Sequence, residues 1–241
     1  MFVGRWQPLH AGHLWLINQR LKDGYNVWLA IRDVKPDEQN PWTAQEIEIG
    51  MGLARVHRVT YVGELGWEIY ASSDQAGHIF DTIFEAGQDV GMKLCGMHMM
   101  DSLRIEKGFR HFGHDITCED HVLEAGLGFA VKTDKPDFIG RDAVLRKKEN
   151  GLDRRLLQFV LNDSEPLLYH NEPILRDGVL VGHLTSGNYG HTIGAAIGLG
   201  YVPCKNETVS DILSSTYEID VAGVKIAANV SIKPVYDPKS E

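Results

Sequence analysis

Apolar and polar positions change their period along this chain. Phe2-Val3 is a short apolar pair that enters a loop, Gly4 to Gly12. Leu14, Ile17 and Leu21 then fall at helical spacing and predict a helix from about His13 to Lys22, closed by Gly24. Tyr25 to Ile31 is nearly all apolar, the pattern of a buried parallel strand. Strand, helix and strand in this order make a right-handed β-α-β unit. A polar loop with Pro36 and Pro41 follows. Thr43-Ala44-Gln45-Glu46 has the form of a capping box and predicts a helix to about Gly52.

Val56 to Val62 and Trp67 to Ala71 read as two strands around Gly63-Glu64-Leu65-Gly66. Ser72-Ser73-Asp74 offers N-caps for a helix whose apolar stripe is Ala76, Ile79, Phe80, Ile83 and Phe84. Another helix is predicted over Met97 to Lys107, stopped by Gly108. Residues 109–137 look irregular, with a short strand near Gly128 to Lys132, and Arg141 to Asn150 is a short helix ended by Gly151. From Leu156 onward the pattern is all β. Leu156–Leu161, Pro173–Leu175, Val179–Leu184, Ala195–Val202, Thr216–Val221 and Val224–Ile232 are short strands separated by turn residues. Six strands at this spacing predict a small antiparallel barrel, with a hairpin turn at Ala222-Gly223. Ser186 to Gly190 has the glycines of a phosphate loop but no Gly-Lys-Ser/Thr, and reads as a tight barrel loop. The expected class is α+β: a partial β-α-β unit over 1–55, an α/β half-domain over 56–135, and a C-terminal antiparallel β-barrel over 136–241.

Composition narrows the function classes. The chain is 43% hydrophobic and 24% charged over 241 residues, enough for a real core. It has no run of about 18 apolar residues, so no membrane association is expected. Its start lacks the basic-then-apolar layout of a secretory signal. Cys95, Cys118 and Cys204 are odd in number and widely spaced, which favours a reducing compartment, the cytoplasm. The net charge of −9 argues against a nucleic-acid partner. Residues 1–60 carry 7 Lys/Arg against 6 Asp/Glu, and the remainder carries 17 against 27, so the first quarter differs in character.

Gly4-Arg5-Trp6-Gln7-Pro8-Leu9-His10-Ala11-Gly12-His13 stands between a predicted strand and helix, where an open α/β sheet binds phosphate. The segment resembles nucleotidylyltransferases with an HxGH motif. By that resemblance Gly4, Arg5, His10 and His13 line an ATP site. The family's distal Ser/Thr-Arg motif has only an echo in Ser214-Ser215-Thr216, where Tyr217 follows instead of Arg.

A larger set of strings begins at Val59. They are TYVGELGWEIY (60–70), CGMHMMDSLRIEKGFRHFGHDI (95–116), LEAGLGFAVK (123–132), DFIGRDA (137–143) and GHLTSGNYGHTIGAAIGLGYV (182–202). In this order they resemble the C-terminal folate-binding region of dimethylglycine and sarcosine dehydrogenases, which is homologous to the aminomethyltransferase, or T-protein, of glycine cleavage. The resemblance implies tetrahydrofolate as ligand, receiving a methylene unit from the substrate amine. A pterin presents an amino group beside a ring N–H, and one carboxylate can accept from both. Glu64 is the candidate for this role, with Gly63 and Gly66 shaping the turn; the plain alternative is an exposed turn carboxylate. Tyr61 and Tyr70 are candidates for stacking on the pterin or aminobenzoyl rings, or equally core residues. Arg104 has two possible partners, a carboxylate of the folate tail or Asp101 three residues earlier. His98, His111, His114 and His121 match no compact ligand set, so no metal is expected, and Asp115 reads as a turn or cap residue.

The resemblance also implies an acidic residue near the reacting folate nitrogen, contributed upstream of the matched strings, where this chain resembles another family. No GxGxxG follows a strand, so no flavin domain is expected. The catalytic residues are therefore unknown and enzymatic activity stays open. Three readings follow: a folate-binding T-protein-like protein of one-carbon metabolism, a nucleotidylyltransferase acting through His10 and His13, and a catalytically silent fragment that binds a flavin-containing partner subunit or itself.

Overall fold

The computed structural model describes residues 44–239. The β-α-β unit expected over the first forty residues, with Gly4, Arg5, His10 and His13, lies outside the described residues. The chain divides into two compact units. Among the described residues one comprises 44–60 and 64–94, the other 61–63 and 95–239.

The first unit is an antiparallel sheet of β1 (Ala44–Ile49), β2 (Gly52–His57) and β3 (Glu68–Ala71), in that order, with helix α1 (Ala76–Gly87). Its small core is Ile49, Ala54 and Ile79, with Ile47, Ile69 and Ile83 packed against it. The helix expected from Thr43 to Gly52 is instead β1 and the turn into β2. Glu46-Ile47-Glu48-Ile49 alternates with period two, and Ile49 pairs with Gly52 across a two-residue turn. Gly50 takes φ +61° there, the first central position of a tight hairpin turn. Helix α1 is capped by Gln75, without a side-chain bond, rather than by Ser72 to Asp74. Of its expected stripe only Ile79 is buried, while Phe80 is half exposed and stacks on Phe84.

The second unit carries helix α2 (Met97–Glu106), helix α3 (Arg141–Asn150), strands β4 (Arg154–Leu161), β5 (Pro173–Arg176), β6 (Val179–Gly190) and β7 (Ala195–Pro203), helix α4 (Val209–Ser214), and strands β8 (Tyr217–Val221) and β9 (Val224–Ser231). The six strands close into a barrel in the order β4-β7-β6-β5-β8-β9, all antiparallel. Period two sorts the strand residues. Leu157, Phe159, Leu161, Ala196 and Val202 join the barrel core, while Leu156, Ile197 and Leu199 pack on Ile105 of α2. The inward positions of β7 between Ala196 and Val202 are glycines for reasons of space. A Cβ at Gly198 would lie 2.7 Å from Leu184 Cδ1, and one at Gly200 2.5 Å from Ile174 Cδ1.

Two other expectations need correction, and one element was not expected. The segment Ser186 to Gly190 is the second half of β6, paired with β7 after a bulge at Leu184–Ser186, because Tyr189 and Asn188 find ladder partners in Ala196 and Ile197. The strand expected near Gly128 is a 3-10 turn, Gly128–Ala130, where Val131 N–H closes on the Gly128 carbonyl. The helix Val209–Ser214 has no counterpart in the sequence reading. No helix among the described residues is long and apolar enough to cross a membrane.

Candidate functional site

Strands β2 and β3 of the first unit pair up to His57 and Glu68, so the connection over 58–67 is broad rather than a tight turn. Glu64 lies in this loop and is exposed. Among the described residues nothing hydrogen-bonds its carboxylate, so both oxygens are open to a donor. Gly66 sits close against Thr60, whose Oγ1 would be 3.2 Å from an added Cβ. Tyr70 is 54% exposed, donates to Glu68 Oε2 at 2.5 Å and stands beside the His57 ring. It also lines a shallow, open concavity with Glu46, Leu53, Arg55 and Gln75. Glu64 is not among the residues of that concavity.

In the second unit, α2 is docked on the barrel by polar groups. Ser102 Oγ donates to the Tyr189 carbonyl at 2.6 Å, and Glu106 Oε1 accepts the N–H groups of Thr192 and Ile193 at 2.7 and 2.9 Å. Among the described residues Glu106 Oε2 is buried without a hydrogen-bond partner. Arg104, 3% exposed, is the hub. Its Nε donates to Asp101 at 3.1 Å, one terminal nitrogen to Asp115 at 2.7 Å and to the Phe109 carbonyl, and the other to Ser186 Oγ at 2.9 Å. Of its two expected partners the structure thus contains Asp101.

Asp115 is more than a turn residue. It is fully buried and also accepts the His111 N–H at 2.8 Å and the Thr185 hydroxyl at 2.5 Å. Tyr201 donates to the Asp115 carbonyl, and burial pushes its phenol up. Tyr61 meets the edge of the His111 ring, which lies 4.5 Å from the His114 ring. Among the described residues the Tyr61 hydroxyl is buried with no hydrogen-bond partner, and burial raises its pKa, the Arg104 charge opposing. Asp115 and Ser186 as partners of Arg104, and Thr185 as a partner of Asp115, were beyond sequence reasoning, since two of the three lie across the fold on β6.

The family models for the "GCVT N-terminal domain" and the "Glycine cleavage T-protein C-terminal barrel domain" match residues 28–135 and 154–237. The chain belongs to the glycine cleavage T-protein family. Its barrel is the one that the second of these models describes. This T-protein-like chain is 44% identical over 85% of its length to the 4-methylaminobutanoate oxidase (formaldehyde-forming) of Paenarthrobacter nicotinovorans, of which it covers 24%. It is 36% identical over 74% of its length to the mitochondrial dimethylglycine dehydrogenase of Homo sapiens, covering 20% of that protein. Among solved structures, the glycine cleavage aminomethyltransferase T of Bartonella henselae superposes with a TM-score of 0.64 at 26% identity, over 73% of this chain and 48% of that one. The chain therefore spans a quarter or less of these curated relatives and about half of the solved structure. Neither model and none of these relatives is a nucleotidylyltransferase, so the HxGH reading gains no support. The human relative is mitochondrial, which lends none to a cytoplasmic location.

Proposed function

We propose that this T-protein-like chain binds a reduced folate and serves one-carbon transfer, in the manner of the folate-binding region of N-methylglycine dehydrogenases. The observation that carries the reading is Glu64: an exposed carboxylate, on a loop flanked by Gly63 and Gly66, with both oxygens uncommitted among the described residues. Its planar pair of acceptors fits the amino group and ring N–H on one edge of a pterin. Tyr70, exposed beside a concavity, offers a face for ring stacking. Arg104, saturated by internal partners, serves as a frame that orders Asp101, Asp115 and the His111 backbone. Bound tetrahydrofolate supplies the nucleophilic nitrogen that takes up the one-carbon unit.

The experiment is calorimetric titration of tetrahydrofolate into the full chain and into Glu64→Gln. Wild type is expected to bind. The variant is expected to bind about tenfold or more weakly, since hydrogen bonds to a charged group contribute about 1.5–3 kcal/mol. Equal affinities would remove Glu64 from the site, and no heat from wild type would remove folate.

A further inference from the structure

A main-chain nitrogen attacks the preceding Asn or Asp side chain most readily when it belongs to glycine, which puts no side chain in the way. The described residues hold two such steps, Asn150-Gly151 and Asp177-Gly178, both in the second unit. Asn150 is the last residue of α3, and it and Gly151 are exposed. The carbonyls of a helix's last turn have no partner within the helix. Among the described residues the Asn150 carbonyl finds none outside it, the Gly151 N–H reaches no acceptor, and the Asn150 carboxamide is unbonded. Gly151 takes φ +83°, with no atom within 4 Å of an added Cβ. The peptide unit joining the two residues can therefore turn without giving up a hydrogen bond, and the turn brings the Gly151 nitrogen onto Asn150 Cγ.

Asp177-Gly178 is held in the opposite way. It forms the turn between β5 and β6. The Asp177 carboxylate accepts the Thr216 N–H and hydroxyl, each at 2.9 Å, and the Asp177 N–H donates to the Thr216 carbonyl at 2.9 Å. The bonds from the Thr216 backbone and hydroxyl hold the carboxyl below its usual range. An ionised carboxylate fixed on another residue is a poor target for the Gly178 nitrogen.

We propose that Asn150 is a site of spontaneous deamidation whose isoaspartyl product loosens the junction between α3 and β4, and that the fold protects Asp177 from the corresponding isomerisation. The Gly151 nitrogen bonds to Asn150 Cγ, the Cγ–Nδ2 bond breaks, and the Gly151 proton leaves with the carboxamide nitrogen as ammonia. Water then opens the cyclic imide at either carbonyl and leaves aspartate or isoaspartate at position 150. The isoaspartyl form has an extra main-chain carbon just ahead of a pinned junction. The Asp153 N–H donates to Glu124 Oε1 at 3.2 Å, the Asp153 carbonyl accepts the Cys204 N–H at 2.9 Å, and the Leu152 carbonyl faces Cys204 Sγ at 3.6 Å. The added carbon shifts this register, and both amide bonds weaken.

The test ages the full chain in mildly alkaline buffer, beside Asn150→Gln and beside wild type unfolded in urea. Peptides are mapped by mass spectrometry, and isoaspartate is located by enzymatic methylation. In folded wild type the peptide 149–154 is expected to pass through an ammonia-loss form to the acid and to gain isoaspartate, while the peptide holding Asp177 gains none. In urea Asp177 is expected to gain it too. Asn150→Gln is expected to keep its amide, because its longer side chain would have to close a larger ring. Amide hydrogen exchange at Asp153 and Cys204 is expected to quicken in aged wild type and to stay unchanged in aged Asn150→Gln. An Asn150 amide that outlasts those of Asn171, Asn188 and Asn206 overturns the site. Isoaspartate at Asp177 in the folded chain, or its absence there in urea, overturns protection by the fold. Unchanged exchange after conversion at Asn150 overturns the loosened junction.

Discussion

Arg104 shows how one side chain organises its surroundings. Its guanidinium binds two carboxylates, a carbonyl and a hydroxyl, drawn from its own helix, the following loop and β6. Breaking such a buried pair leaves an uncompensated charge, which costs about 3–5 kcal/mol. Arg104→Met is therefore expected to lower the unfolding free energy by that amount in urea. A loss below about 1 kcal/mol would mean that the pair is not buried in solution. The contact with Asp101 was legible, because residues three apart on a helix are neighbours. The contacts with Asp115 and Ser186 were not, since they join positions 11 and 82 residues away and depend on closure of the barrel beside α2.

At the scale of elements, two capping signals had opposite fates. Thr43 to Glu46 carries the letters of a capping box, yet Ala44–Ile49 is a strand. The alternation of Glu and Ile and the turn at Gly50 outweigh the cap, because a strand there buries Ile49 against Ala54 and Ile79. The working capping box is Thr208 with Asp211, ahead of a helix so short that it has almost no periodicity. The Thr208 backbone and hydroxyl hold the Asp211 carboxyl below its ordinary value of 3.8. A depressed carboxyl contributes stability above its unfolded pKa and loses it as pH falls through the folded value. Wild type is thus expected to lose thermal stability more steeply than Asp211→Asn as pH drops below 3.8. Parallel slopes in an acid melting series would contradict the cap. The barrel strands were legible except for the second half of β6, but the reason for Gly200 was not. Gly200→Ala should destabilise by about 1–3 kcal/mol through overpacking. Ile174→Val removes the Cδ1 that an alanine would meet, so the double variant should recover part of the loss. Strict additivity in denaturant unfolding would contradict this contact.

At the scale of the whole chain, family membership was readable from strings such as GELGWEIY and DSLRIEKGFRHFGHD, and the barrel from six short strands. The match to the N-terminal family model begins at residue 28, upstream of the first string that carried the resemblance. Resemblance fixes ancestry and architecture. It leaves open what a chain spanning a quarter of its curated relatives does by itself. That question turns on Glu64, which the loop between β2 and β3 leaves exposed. The most direct measurement is a crystal structure of the full chain grown with tetrahydrofolate. The expected result is a pterin whose amino group and ring N–H both lie within hydrogen-bond distance of the Glu64 carboxylate. A pterin held elsewhere, with Glu64 still facing solvent, would contradict the account.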